Sequence, residues 1–122
     1  MNRRLADEGC RPCGGGASLL TPEELAGLMV SLRLWKLEKI AGIPRIVKTF
    51  PFKSFADGMA FARRIAELAD AEDHHPTLLV EWGRVTVSWW THSLGGLHRN
   101  DFVMAARTDR IFITAGAPPL AA

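Results

Sequence analysis

The sequence predicts an α+β fold on three observations. The chain is short, its apolar residues alternate between helical and strand periods, and a capping residue, proline or glycine stands at each change of period. The predicted element order is α-β-β-α-β-β-α, a single four-stranded antiparallel sheet with helices on one face. With 122 residues, 48% hydrophobic and 23% charged, the chain suffices for one core and one domain.

The first helix begins at Thr21. Thr21-Pro22-Glu23-Glu24 offers a threonine N-cap, a proline at N1 and a glutamate at N3, and Leu25, Leu28, Met29 and Leu32 follow at helical spacing. Residues 34–40 then alternate as a first strand, Ala41-Gly42 breaks it, and residues 43–50 form a second, with Pro44 near its start, where a missing ladder donor is tolerated. Ser54 and Asp57 mark the second helix, in which Phe55, Met59, Ala62, Ile65, Ala66 and Ala69 recur at three- and four-residue steps, widened by Phe61 and Leu68. That stripe is read as packing on the sheet, leaving the opposite face for self-association. Residues 77–82 and 85–90 are β-rich runs divided by Gly83-Arg84, a hairpin. Asn100 and Asp101 open a third helix through Phe102, Val103, Ala106 and Phe112, with acids in its first turn favoured by the dipole.

Residues 1–18, with Cys10 and Cys13 in a CxxC and three glycines after it, lack hydrophobic periodicity and are expected to form a flexible arm. Residues 19–114 then make the folded domain and residues 115–122 a flexible tail. A single CxxC supplies only two of the four ligands of a closed zinc site, and the βαβ setting of a thioredoxin-like motif is missing, so both cysteines are read as reduced and without an assigned role. The net charge of +2 and the lack of a basic stripe argue against nucleic acid as a ligand. No apolar run approaches the ~18–20 residues of a membrane span, nor is there a signal-peptide hydrophobic region, so a cytoplasmic location is the default.

The chemistry concentrates in residues 70–101, which hold all four histidines. Pro76 pushes the residue before it out of the α region, so a helix ending at Asp73 presents His74 and His75 at its C-terminal mouth. A hairpin brings the end of its second strand back beside the start of its first, which returns His92 to that mouth. Because an unperturbed imidazole titrates near pH ~6.5, three of them sharing one cleft would suit proton transfer around neutrality. Plainer roles exist for each residue: paired histidines favour a helix dipole, His92 caps a strand, Asp101 caps a helix, Asp70 and Asp73 are solvated helix-end acids, and Thr91 is a strand residue. Three histidines can also bind zinc, but adjacent side chains diverge unless the backbone is irregular, which places that alternative below acid/base chemistry.

The spacing Asp70, three residues, His74-His75-Pro76, five residues, Trp82, nine residues, His92, eight residues, Asp101 resembles the signature of the pterin-4a-carbinolamine dehydratases. The resemblance extends over residues 21–112. The segment Trp89-Trp90-Thr91-His92 and the run from Gly95 through Gly96, Leu97, His98, Arg99, Asn100 and Asp101 to Phe102 are similar to the bacterial branch associated with phenylalanine hydroxylase.

That likeness implies the same element order and dehydration of 4a-hydroxytetrahydrobiopterin to quinonoid dihydropterin, with no metal and no organic cofactor. It implies that His74 and His92 act as acid and base at the 4a-hydroxyl, that His75 chiefly holds the pterin, and that Asp101 orients an imidazole or accepts from pterin N–H groups. Asp70, Asp73, Pro76, Trp82 and Thr91 follow as lesser substrate contacts. A homodimer or homotetramer and a functional link to phenylalanine hydroxylase are the implied associations. The alternative is a non-catalytic dimerisation or assembly module on the same fold, against which the intact histidine trio argues. Val85, Val87 and Trp89 point to one face of the last strand and Thr86, Ser88 and Trp90 to the other, so this strand is expected to form the free edge that two copies pair.

Overall fold

The computed structural model describes residues 5–10 and 18–113. Helix α1 spans Pro22–Ser31, and the expected capping box closes it. The Thr21 hydroxyl accepts from the Glu24 amide at 3.2 Å, and the Glu24 carboxylate accepts from the Thr21 amide at 2.9 Å. Strands β1 (Lys36–Ile40) and β2 (Ile43–Pro51) pair antiparallel across Ala41-Gly42, whose φ angles of 53° and 80° suit a tight hairpin turn. Strand β1 starts two residues later than the period suggests. Trp35 instead drops into the core, where its indole N–H donates to the Asp109 carboxylate at 3.0 Å.

Helix α2 (Phe55–Glu72) starts at Ser54, whose hydroxyl accepts from the Asp57 amide, and buries Phe61, Ala62, Ile65 and Ala69 of the expected stripe. Strands β3 (Thr77–Glu81) and β4 (Arg84–Trp89) form the second hairpin, and helix α3 (Arg99–Ile111) closes the fold. The hairpin turns on Trp82-Gly83, with Gly83 at φ 88°, so Trp82 lies in the turn and not at a strand end. Beneath the helices, Phe50, Phe52, Phe61 and Phe112 pack with ring centroids 5.0–5.7 Å apart.

The sheet order is β1-β2-β4-β3. This corrects the expectation that β4 is the free edge: it lies inside the sheet, paired with β2 on one side and β3 on the other. Two demanding faces are what an interior strand needs. Val85, Val87 and Trp89 are buried towards the helices, and Trp90, on the opposite face, is covered by side chains of its own chain. Strands β1 and β3 are the edges.

Residues 5–10, placed in the expected arm, lie against the body. Leu5 and Ala6 are buried in the core, Glu8 receives a two-pronged bond from Arg99, Asp7 pairs with Arg110, and the Cys10 amide donates to Glu72 at 2.9 Å. Two apolar side chains and two acids opposite the arginines of α3 anchor a stretch too short to show a period. Cys13 and the residues from 114 onward lie outside the described residues. Among the described residues, no helix is long and apolar enough to cross a membrane.

Candidate active site

The site forms where the C-terminus of α2, the start of β3, the end of β4 and the N-terminus of α3 meet. Helix α2 ends on Asp73 in the left-handed conformation (φ 51°, ψ 46°), and the amides of Asp73 and His74 both donate to the Ala69 carbonyl. This closure, with Pro76 blocking continuation, fixes where the two imidazoles emerge. They then part, as adjacent side chains in extended backbone do. His74 turns inward and His75 faces solvent.

Asp101 organises the inner half. It is fully buried, and its two oxygens serve three donors. His74 Nε2–H approaches Oδ1 at 2.7 Å, while the Thr91 hydroxyl and the His98 amide reach Oδ2 at 2.8 and 2.9 Å. The capping role and the imidazole-orienting role foreseen for Asp101 therefore coincide in one carboxylate. His98 completes the capping box by accepting the Asn100 amide on Nδ1 at 3.0 Å. That role for the fourth histidine was not foreseen, because histidine is an uncommon N-cap. The His74 ring also stacks on Trp89, at 5.8 Å and 14°.

His92 supplies the outer half. It sits in a short 3₁₀ turn, His92–Leu94, pinned by a Thr91–Gly96 bridge, and its Nε2 lies 3.1 Å from the His75 carbonyl. A carbonyl oxygen can only accept, so Nε2 carries the proton. The Asp101 carboxylate imposes the same tautomer on His74, and Asp70 does so on His75 at 3.0 Å. Each neutral ring then keeps Nδ1 as its basic nitrogen. The expectation that His92 returns to His74 and His75 matches this geometry, although the three rings do not face one another. Trp89 and Trp90 point to opposite faces of β4, and His74 stacks on the first while His92 stacks on the second, at 4.3 Å and 11°.

Of the lesser residues, Asp70 and Thr91 touch the histidine and aspartate set directly, Asp73 shapes the helix end, and Pro76 leads into β3. Trp82 stands apart. It occupies the far tip of the hairpin, separated from Pro76 by the five residues of β3, roughly 16 Å of strand, and is 78% exposed. Among the described residues, no three His, Cys, Asp or Glu side chains converge as metal ligands. A hollow of about 670 Å³ lined by Val30, Leu32, Leu34, Lys48, Asp109 and Ile113 contains none of the imidazoles.

Comparison with known proteins gives the chain's relatives. The family described as "Pterin 4 alpha carbinolamine dehydratase" matches residues 18–111. A protein of Microcystis aeruginosa named "Putative pterin-4-alpha-carbinolamine dehydratase" is 50% identical over 108 residues, covering 88% of this chain and 93% of its own. A similarly named protein of Chlorobium limicola is 52% identical over 99 residues, covering 81% of this chain and 88% of the relative. Among solved structures, a "transcriptional coactivator/pterin dehydratase" from Brucella melitensis is similar with a TM-score of 0.68 and 32% identity, over 77% of this chain and 98% of the other.

Proposed function

The chain belongs to the pterin-4a-carbinolamine dehydratase family, and on that premise we propose that it converts 4a-hydroxytetrahydrobiopterin to quinonoid dihydropterin by histidine acid/base catalysis. The observation that carries this reading is the inner relay of Thr91, Asp101 and His74, together with a second imidazole, His92, bonded to the carbonyl of His75, the neighbour of His74.

The reaction breaks the bond from C4a to its hydroxyl while the lone pair of the neighbouring ring nitrogen forms a C=N bond and that nitrogen loses its proton. Hydroxide is a poor leaving group, so the step needs a proton delivered to the oxygen and a base for the N–H. Two imidazoles anchored through Nε2 meet the need, since each can carry or receive a proton on Nδ1. His74 and His92 take these roles, and His75, exposed and held by Asp70, is free to contact the pterin face. Asp101 positions His74 and keeps its tautomer. Recycling of the pterin for phenylalanine hydroxylase, a cytoplasmic setting and a homodimer or homotetramer belong to the same reading.

The Brucella relative's name pairs dehydratase with coactivator, and Phe55 and Met59 are large exposed apolar residues on α2. These support an assembly role that can coexist with catalysis.

The test is the disappearance of freshly generated 4a-hydroxytetrahydropterin in the presence of the purified protein. We expect clear acceleration, and a loss of about 10²-fold or more in His74→Ala or His92→Ala. Unchanged rates in both variants would sink the assignment.

A further inference from the structure

We infer that Arg45, through Trp90, is the positioning residue that fixes the plane of the His92 ring. In the β2–β4 register Ile46 lies opposite Trp89, so the next pair sets Arg45 opposite Trp90 on the face of the sheet away from the helices. The guanidinium carbon lies 3.9 Å from the centre of the Trp90 ring, and the His92 ring lies 4.3 Å from it, nearly parallel. Two groups that close to one centroid cannot share a face. The indole is therefore bracketed, with the flat cation on one side and the imidazole on the other.

The surroundings show why this stack decides the position of His92. The ring is exposed and rides on a short turn, and the hydrogen bond described for it is the one from Nε2 to the His75 carbonyl. A single bond lets an imidazole swing about its axis. Stacking on an indole of fixed plane removes that freedom and leaves Nδ1 aimed one way. Trp90 would itself tilt without support, because it stands on the uncovered face of the sheet, yet it is only 9% exposed.

Arg45 bears the marks of a residue held for this contact. Its Nε is buried and has no hydrogen-bond partner among the described residues. Glu38 is its cross-strand neighbour on β1, but the guanidinium lies over the indole. A buried donor without an acceptor costs stability, so an apolar residue would serve the fold better at this position.

The kinetic arm of the test rests on the dehydratase reading; the spectroscopic arm does not. Arg45→Met and Arg45→Lys are compared with wild type by kcat and KM on 4a-hydroxytetrahydropterin, by thermal midpoint, and by the NMR positions of the His92 ring protons. For Arg45→Met we expect a midpoint at or above wild type, KM within about twofold, and kcat lower by roughly tenfold, the scale of a misaligned acid/base group. The His92 ring protons should lose the upfield displacement that a stacked indole imposes. Arg45→Lys should behave like Arg45→Met, because an ammonium is not planar. Unshifted His92 protons in Arg45→Met, or full kcat in either variant, would overturn the inference. If wild type dehydrates nothing, the reaction proposed above fails, and the ring-proton comparison still decides the stack.

Discussion

Replacing Asp101 by asparagine exchanges one acceptor oxygen for an NH₂ group at a place where both oxygens already receive donors. Whichever way the amide turns, an N–H or O–H then faces another donor in a fully buried site. We expect Asp101→Asn to lower stability by about 2–3 kcal/mol in urea denaturation and kcat by at least tenfold, since His74 loses its anchor. A variant as stable as wild type would show that water relieves the clash. Glu72 gives a pH signature. Its carboxyl is held below the usual 4.5 first by the bond from the Cys10 amide and then by Arg107, with burial opposing. A depressed folded value means that the contribution is complete above the ordinary carboxylate range and disappears as pH falls through the folded value. The stability gap between wild type and Glu72→Gln should be present near neutrality and shrink as pH falls through the folded value of Glu72. A gap that persists below that value would assign it to packing. Residue-scale legibility is uneven: Pro76 and Asp101 declare themselves by type and spacing, whereas nothing in the sequence sets Arg45 apart from the rest of the 43–50 run. A period of two assigns a face but names no neighbour across the sheet.

At the scale of elements, caps and turns were readable because they act locally. Thr21, Ser54 and Gly83 work through bonds or φ angles within a few residues. Strand order was not readable, because alternating apolar residues look alike in an edge strand and in one with partners on both sides. The interior position of β4 makes Val87 demanding, as it lies between Lys48 on β2 and Leu78 on β3 and is buried. Val87→Pro removes a ladder donor and a core side chain together, so we expect a loss above ~3 kcal/mol and little soluble protein. Glu38→Pro, on edge strand β1, should cost less than half as much. Equal losses at the two positions would show that the interior of the sheet is no more constrained than its edge. The N-terminal stretch was missed because it is short. Deleting residues 1–8 withdraws buried Leu5 and Ala6 and takes Glu8 from Arg99, so unfolding should become easier by about 2–4 kcal/mol. An unchanged denaturation midpoint would mean that the core closes over the gap.

For the whole molecule, the sheet order moves the expected pairing surface from β4 to an edge. Of the two edges, β1 carries Lys36 and Lys39, charges that guard a strand against pairing, whereas β3 reads Thr-Leu-Leu-Val-Glu and has no lysine. Leu79 on β3 is 53% exposed, and Trp82 at its end is more exposed still. Joining two copies along β3 would satisfy the free N–H and C=O groups of that edge and shield Leu79. A two-fold axis through Leu79 pairs residues equidistant from it, which sets Trp82 opposite Pro76 of the partner subunit. The tryptophan that lies far from the histidines of its own chain would then stand beside those of the other. We predict a dimer, or a multiple of one, at micromolar concentration in sedimentation. Leu79→Lys should shift it towards monomer, and Trp82→Ala should raise KM by about tenfold in a protein that remains dimeric, a loss of roughly 1.4 kcal/mol in binding. A compact wild-type monomer with full activity would show that β3 needs no partner and that Trp82 serves the fold of its own hairpin.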